Sequence, residues 1–271
     1  MGRWSLLLTC GAEMLRRALR AAVPLILLAA ASAPRAGEKH VVSVAAASSL
    51  KDAAEALVQA FQSARPEVEV RVSLGASGTF FAQLQNGAPF DLFLSADREY
   101  PAKIVAAKLA AAADERVYAI GKLVAWLPPG SKLPLAQRGL AVLADPEVKR
   151  IAIANPAVAP FGRAAAWAFR AAGVEDAVKE KLVLGTSVAQ AAQFATTGAA
   201  DVAFLPYSLT FGKELAAGQT ILVPEALYPK IEQSGIVLSA AKEPLLARDF
   251  LAFVTGEKGR AILAKFGYGL P

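Results

Sequence analysis

The hydrophobic pattern changes period repeatedly along the chain. Residues 41–47 (VVSVAAA) form an apolar run of strand length. After Ser48 and Ser49 the apolar positions become Leu50, Ala53, Ala54, Leu57 and Phe61, the spacing of one helix face. Residues 67–74 (EVEVRVSL) alternate polar with apolar, which predicts a half-buried strand. That strand stops at Gly75, Ala76, Ser77 and Gly78, where Thr79 leads into Phe80, Phe81 and Leu84. Strand, serine turn and helix therefore occur twice in succession. Residues 91–95 (DLFLS) predict a third strand, followed by a helical run with Ile104, Val105 and Leu109.

Residues 117–127 (VYAIGKLVAWL) read as one long strand that carries the chain into a second lobe before Pro128-Pro129-Gly130. There the pattern predicts a short helix at 140–144, a strand at 150–154 (RIAIA), a proline-rich turn at 156–162 and an alanine-rich helix at 163–172. A strand at 182–184, the turn Gly185-Thr186-Ser187, a helix at 188–196 and a strand at 201–205 ending at Pro206-Tyr207-Ser208 complete it. Residues 228–238 read as the return crossing, and 244–266 contain a docking helix with Leu246, Phe250, Phe253 and Val254 on one face. Strands alternating with helices predict an α/β fold, each lobe a mainly parallel sheet flanked by helices. The expected boundaries are 38–118 plus 236–271 for lobe 1 and 119–235 for lobe 2.

A serine in the first turn of a helix sits beside backbone N–H groups without intrahelical partners, in the positive end of the helix dipole. Two such turns on neighbouring parallel strands would converge on an anion. The alternative is that Ser49 and Ser77 are ordinary N-caps. The alanines at 45–47 and the glycines at 75 and 78 favour close approach of a ligand to the backbone, which a cap does not require.

The first residues change the charge picture. Arg16, Arg17 and Arg20 precede the apolar segment 21–33, which is short for a membrane span, and the whole reads as a secretory signal peptide over residues 1–37, with Met14 a second candidate start. Cleavage after Ala33 or Ala36 is expected, giving a mature start between Pro34 and His40. Residues 7–11 (LLTCG) loosely resemble a lipoprotein cleavage box, but lipidation is not expected. Residues 1–37 hold five arginines against Glu13, so the formal net charge falls from +6 to +2 without them. No nucleic-acid footprint remains. Cys10, the one cysteine, leaves with this segment, as do both methionines.

The remaining chemistry is narrow. The one histidine, His40, lies at the mature start, which argues against a Ser-His-Asp triad, and Gly75-Ala76-Ser77-Gly78 does not have the spacing of a nucleophile elbow. No glycine-rich turn ends in Gly-Lys-Ser/Thr, and metal-ligand clusters fail for want of Cys and His. Asp91, Asp97 and Asp201 sit where acids usually serve turns or caps. Binding by neutral dipoles is what is left.

Residues 45–53 (AAASSLKDA), 75–97 (GASGTFFAQLQNGAPFDLFLSAD) and 228–238 (YPKIEQSGIVL) resemble the periplasmic molybdate-binding proteins of ABC transporters. The resemblance implies a two-lobed type II periplasmic solute-binding fold that closes on one tetrahedral oxyanion, molybdate or tungstate, and delivers it to membrane permease subunits driven by a cytoplasmic ATPase. It implies a periplasmic, monomeric protein with no cofactor, no nucleic-acid partner and no enzymatic activity. By matching motifs, the anion ligands are the hydroxyls and amides of Ser49 and Ser77 and the backbone amides of Phe161 and Val188. Some members add a tyrosine hydroxyl from the strand end that is Phe204-Leu205-Pro206 here; the favoured register puts Pro206 at that place, leaving Tyr207 one residue on. Sulfate, phosphate or another small oxyanion is the alternative ligand, and an enzyme on the same fold is the alternative from another class.

Overall fold

The fold is organised as two sheets joined by short passages of chain. The computed structural model describes residues 39–271; the expected signal peptide and its cleavage sites lie outside the described residues. The first run is β1 (His40–Ala47), which enters a 3₁₀ turn at Ser48–Leu50 and then α1 (Lys51–Ala64). Next come β2 (Val68–Gly75), α2 (Ser77–Gln85), β3 (Leu92–Ser95), α3 (Glu99–Ala106) and β4 (Glu115–Gly121). The second half contains β5 (Leu123–Leu127), α4 (Leu135–Arg138), β6 (Ile151–Ala154), α5 (Pro160–Ala171), α6 (Glu175–Val178), β7 (Leu182–Gly185), α7 (Val188–Thr196), β8 (Val202–Pro206) and β9 (Gln219–Leu222). The chain returns through β10 (Ile231–Val237) and ends with α8 (Pro244–Thr255) and α9 (Glu257–Lys265).

The first sheet has the order β2-β1-β3-β10-β4 and the second β7-β6-β8-β5-β9. In each, three strands run parallel and the fourth is antiparallel to its neighbours. The two lobes thus share one topology, and the carboxyl ends of their parallel strands are where such sheets bind ligands. Apolar spacing explains the helices. Ala53, Ala54, Leu57 and Phe61 of α1 are buried against Phe250, Leu251 and Val254 of α8, with Phe61 and Phe250 edge-to-face at 5.1 Å. On the opposite sheet face Phe80, Leu84 and Ile104 cover Phe93 and Ile236. Burying each leucine, isoleucine or phenylalanine among these contributes about 1.5–3 kcal/mol.

Three local expectations are corrected. Residues 117–127 are two strands, because the chain turns from the first sheet to the second at Lys122; the apolar run is continuous since all of β5 and Tyr118, Ala119 and Gly121 of β4 are buried. Both β4 and β10 stay in the first sheet throughout, so the passages between sheets fall at Lys122 and at residues 223–230. The helix expected from residue 163 begins at Pro160, a residue suited to the first helical position because its missing N–H has no partner to lose. The docking helix expected within 244–266 is found as α8, and Gly256 closes it and opens α9.

Candidate functional site

Strands β1 and β2 pair in parallel from His40 with Val68 to Ala47 with Gly75. Their ends are therefore level, and the Ser48-Ser49 and Ala76-Ser77 turns stand side by side. Opposite them, α5 and α7 of the second lobe present their first turns. Together Ala47, Ser48, Ser49, Gly75, Ala76 and Ser77 from one lobe and Ala159, Pro160, Phe161 and Val188 from the other line a cavity, with Ala96 beside them. Its volume is about 10 Å³, far below the roughly 300–1,000 Å³ of pockets for organic ligands. No charged side chain lines it.

The serines are not caps. The N-cap of α2 is Ala76 and that of α1 is Leu50, and neither helix has a side-chain cap hydrogen bond. By contrast, Ser187 does cap α7, its Oγ accepting from Gln190 N at 3.4 Å. Ser77 is fully buried and its Oγ accepts from Ala96 N at 3.0 Å. A hydroxyl that accepts there keeps its proton for another acceptor. Ser49 Oγ lies 3.4 Å from Gln233 Oε1. The Ser49 carbonyl accepts from Ser208 Oγ and Tyr268 Oη, each at 2.7 Å, which fixes the 3₁₀ turn from both sides.

Backbone donors come from helix starts. In α5 the first intrahelical bond is Arg163 N to Ala159 O, so the Phe161 and Gly162 amides precede the ladder. Gly162 is required there, since a Cβ would run into Ala154 O of β6. In α7 the first is Ala191 N to Ser187 O, so the Val188 amide is likewise ahead of the ladder. Three helix starts and a 3₁₀ turn thus bring dipoles to one small neutral space.

Four of the five residues expected to touch a ligand, Ser49, Ser77, Phe161 and Val188, line this cavity; Tyr207 does not. Pro206 ends β8, and Tyr207 opens a 3₁₀ segment in which its ring meets Phe211 at 5.0 Å and lies against Gly267. Its neighbour Ser208 is buried, as is Leu209. The three aspartates are occupied elsewhere. Asp91 accepts from the amides of Ser43, Lys242 and Glu243, and Asp201 from those of Lys149 and Arg150. Asp97 pairs with Arg163 of the other lobe. Burial pushes its carboxyl up, against the opposing pull of the Tyr100 amide and the Arg163 guanidinium.

The lobes are clasped beside the cavity. Arg163 also lies 3.2 Å from Glu99 and donates to Tyr100 Oη at 3.3 Å, while Tyr100 Oη donates to Ala157 O at 3.3 Å. Gly78 N donates to Val158 O at 2.9 Å. Sequence reasoning did not single out Ser48, Gln233, Ser208 or Arg163. Of these only Gln233 left a signal, as the middle of the polar run Glu232-Gln233-Ser234 in a strand that is apolar on either side of it.

Residues 42–269 match the family described as bacterial extracellular solute-binding protein. The chain is 34% identical over 250 residues to the molybdate-binding protein ModA of Rhodobacter capsulatus, covering 92% of this chain and 96% of that one. It is 38% identical over 204 residues to ModA of Azotobacter vinelandii, covering 74% and 79%. The solved structure of the periplasmic molybdate-binding protein of Azotobacter vinelandii superposes with a TM-score of 0.78 at 32% identity, over 85% of this chain and 99% of that one. A shared two-sheet fold, a match along nearly the whole described chain and these identities place the protein among the bacterial extracellular solute-binding proteins, in the ModA family.

Proposed function

We propose that this chain binds one molybdate or tungstate dianion between its lobes and hands it to the permease subunits of an ABC importer driven by a cytoplasmic ATPase. In this reading it works in the periplasm as a monomer, without a cofactor and without turning anything over. The observation that carries the reading is the cavity itself: it is small and neutral, and both lobes supply its donors. Hydroxyls of Ser49 and Ser77 and amides of Phe161 and Val188 give a dianion direct hydrogen bonds, while the helix starts supply the field. Fixed donors on both sides also select by size, because a smaller tetrahedral anion cannot reach all of them at once. Molybdate and tungstate, which are nearly the same size, are expected to bind alike.

Thermal unfolding with a panel of sodium salts tests this. At an anion concentration a thousandfold above Kd, stability should rise by about 4 kcal/mol for molybdate and tungstate. Equal shifts with sulfate and phosphate would contradict the selection by size.

A further inference from the structure

Gln233 is fully buried, and its Nε2 is the one buried side-chain polar atom without a hydrogen-bond partner among the described residues. Its Oε1 faces two hydroxyls, Tyr118 Oη at 3.0 Å and Ser49 Oγ at 3.4 Å. Tyr118 is also fully buried, and burial raises its phenol well above the usual range, so its proton stays on. That single proton has two claimants, because Tyr118 Oη also lies 2.9 Å from the carbonyl of Ser95. A carbonyl can only accept, so the proton belongs to Ser95 O. Tyr118 Oη then needs a donor from Gln233 and would otherwise face an oxygen. The two ends of a side-chain amide exchange places on a half-turn.

We infer that Gln233 holds its amide with Nε2 toward Tyr118 and Ser49, making it the positioning residue that aims the Ser49 hydroxyl at the anion. In that arrangement Tyr118 donates to Ser95 O, while Gln233 donates one proton to Tyr118 Oη and the other to Ser49 Oγ. Ser49, now an acceptor from Gln233, keeps its proton for the ligand, as Ser77 does by accepting from Ala96 N. The Gln233 carbonyl then lies toward Gly121, where a Cβ would come within 2.6 Å of that end of the amide and 2.7 Å of Phe161. An under-satisfied buried carbonyl oxygen is tolerated better than a pair of orphaned N–H donors.

The backbone is shaped for this contact. The ladder between β4 and β10 shifts register at Gln233/Ser234: Gln233 pairs with Ala119 and Ser234 with Val117, so Tyr118 is the extra residue of a β-bulge. Bulges re-aim side chains next to functional sites. Here both Tyr118 and its neighbour Ala119 are buried, where regular alternation would put one of them on the other face.

This inference rests on the anion site proposed above, and its test separates the two. In the wild-type protein, NMR should find the Gln233 side-chain amide protons close to the Tyr118 and Ser49 side chains; contacts to the Phe161 ring instead would overturn the assignment without bearing on the site. Molybdate titrations of wild type, Gln233→Met, Ser49→Ala and the double variant form a cycle. Gln233→Met should weaken binding roughly three- to tenfold in the wild-type background and less than about twofold when Ser49 is already Ala. Equal losses in both backgrounds, or none, would refute the positioning role while leaving the site intact. Failure of the wild type itself to bind molybdate would remove the site and with it the role of Gln233.

Discussion

The Gly78 amide donates to the Val158 carbonyl at 2.9 Å, a backbone bond from the start of α2 in one lobe to the turn before α5 in the other. It lies one residue from Ser77 and three from Phe161, so the contact that closes the lobes is built into the same turns that line the cavity. A Cβ at Gly78 would stand 2.9 Å from Val158 Cα and would meet the Tyr100 hydroxyl. Gly78→Ala is therefore expected to hold the lobes apart. Overpacking of this kind costs about 1–3 kcal/mol, which predicts roughly tenfold or greater loss of anion affinity with little change in apo melting temperature. Calorimetric titration beside a thermal scan checks it.

Ser49→Ala and Ser77→Ala should differ from one another. Each removes a hydrogen bond to a charged ligand, worth about 1.5–3 kcal/mol, or roughly tenfold or more in affinity. Ser77→Ala also orphans the buried Ala96 N–H and should lower apo stability by about 1–3 kcal/mol. Ser49→Ala orphans no backbone donor but leaves one buried Gln233 N–H without the acceptor proposed for it, so it should also lower apo stability somewhat, with its larger effect on binding. Wild-type affinity in both variants would remove the serines from the site.

Val188 tests the backbone donors. It is the first residue of α7, where proline is tolerated. Val188→Ala keeps the N–H and should bind nearly as wild type, whereas Val188→Pro deletes the donor and should weaken binding about tenfold. Similar affinities for the two variants would show that this amide does not reach the anion.

Buried tyrosines set an alkaline limit. Burial raises the phenols of Tyr118, Tyr268 and Tyr228 above the ordinary tyrosine value of about 10. A raised pKa in the folded state means that unfolding releases protons above pH 10, so stability should fall as pH rises from there toward the folded values. Below pH 10 these groups are protonated in both states and contribute no slope. A spectrophotometric titration should therefore show the fully buried phenols of Tyr118 and Tyr268 ionising together with loss of structure; their ionisation near pH 10 with the fold intact would contradict their burial.

Much of this architecture was legible in the residues because period and turn chemistry agree. The run at 41–47, the serines after it and the helical spacing from Leu50 forecast β1 and α1 nearly as they stand, and parallel pairing of β1 with β2 set the two serine turns level. What composition could not reveal depends on distant partners. Nothing local distinguishes Ser77 as an acceptor for Ala96 from Ser187 as a cap on Gln190; only the fold does. Tyr207 and Ser208 are adjacent and both polar, yet the 3₁₀ turn sends the first ring to Phe211 and the second hydroxyl to Ser49. The bulge that brings Tyr118 to Gln233 has no signal in either strand alone.

The most direct measurement is a crystal structure of the mature chain with bound molybdate, with data collected to locate the metal by anomalous scattering. A single peak is expected in the cavity between Ser77 and Val188, with oxygens about 2.7–3.2 Å from the hydroxyls of Ser49 and Ser77 and the amides of Phe161 and Val188. A peak elsewhere, or an anion held by lysine or arginine side chains, would contradict it.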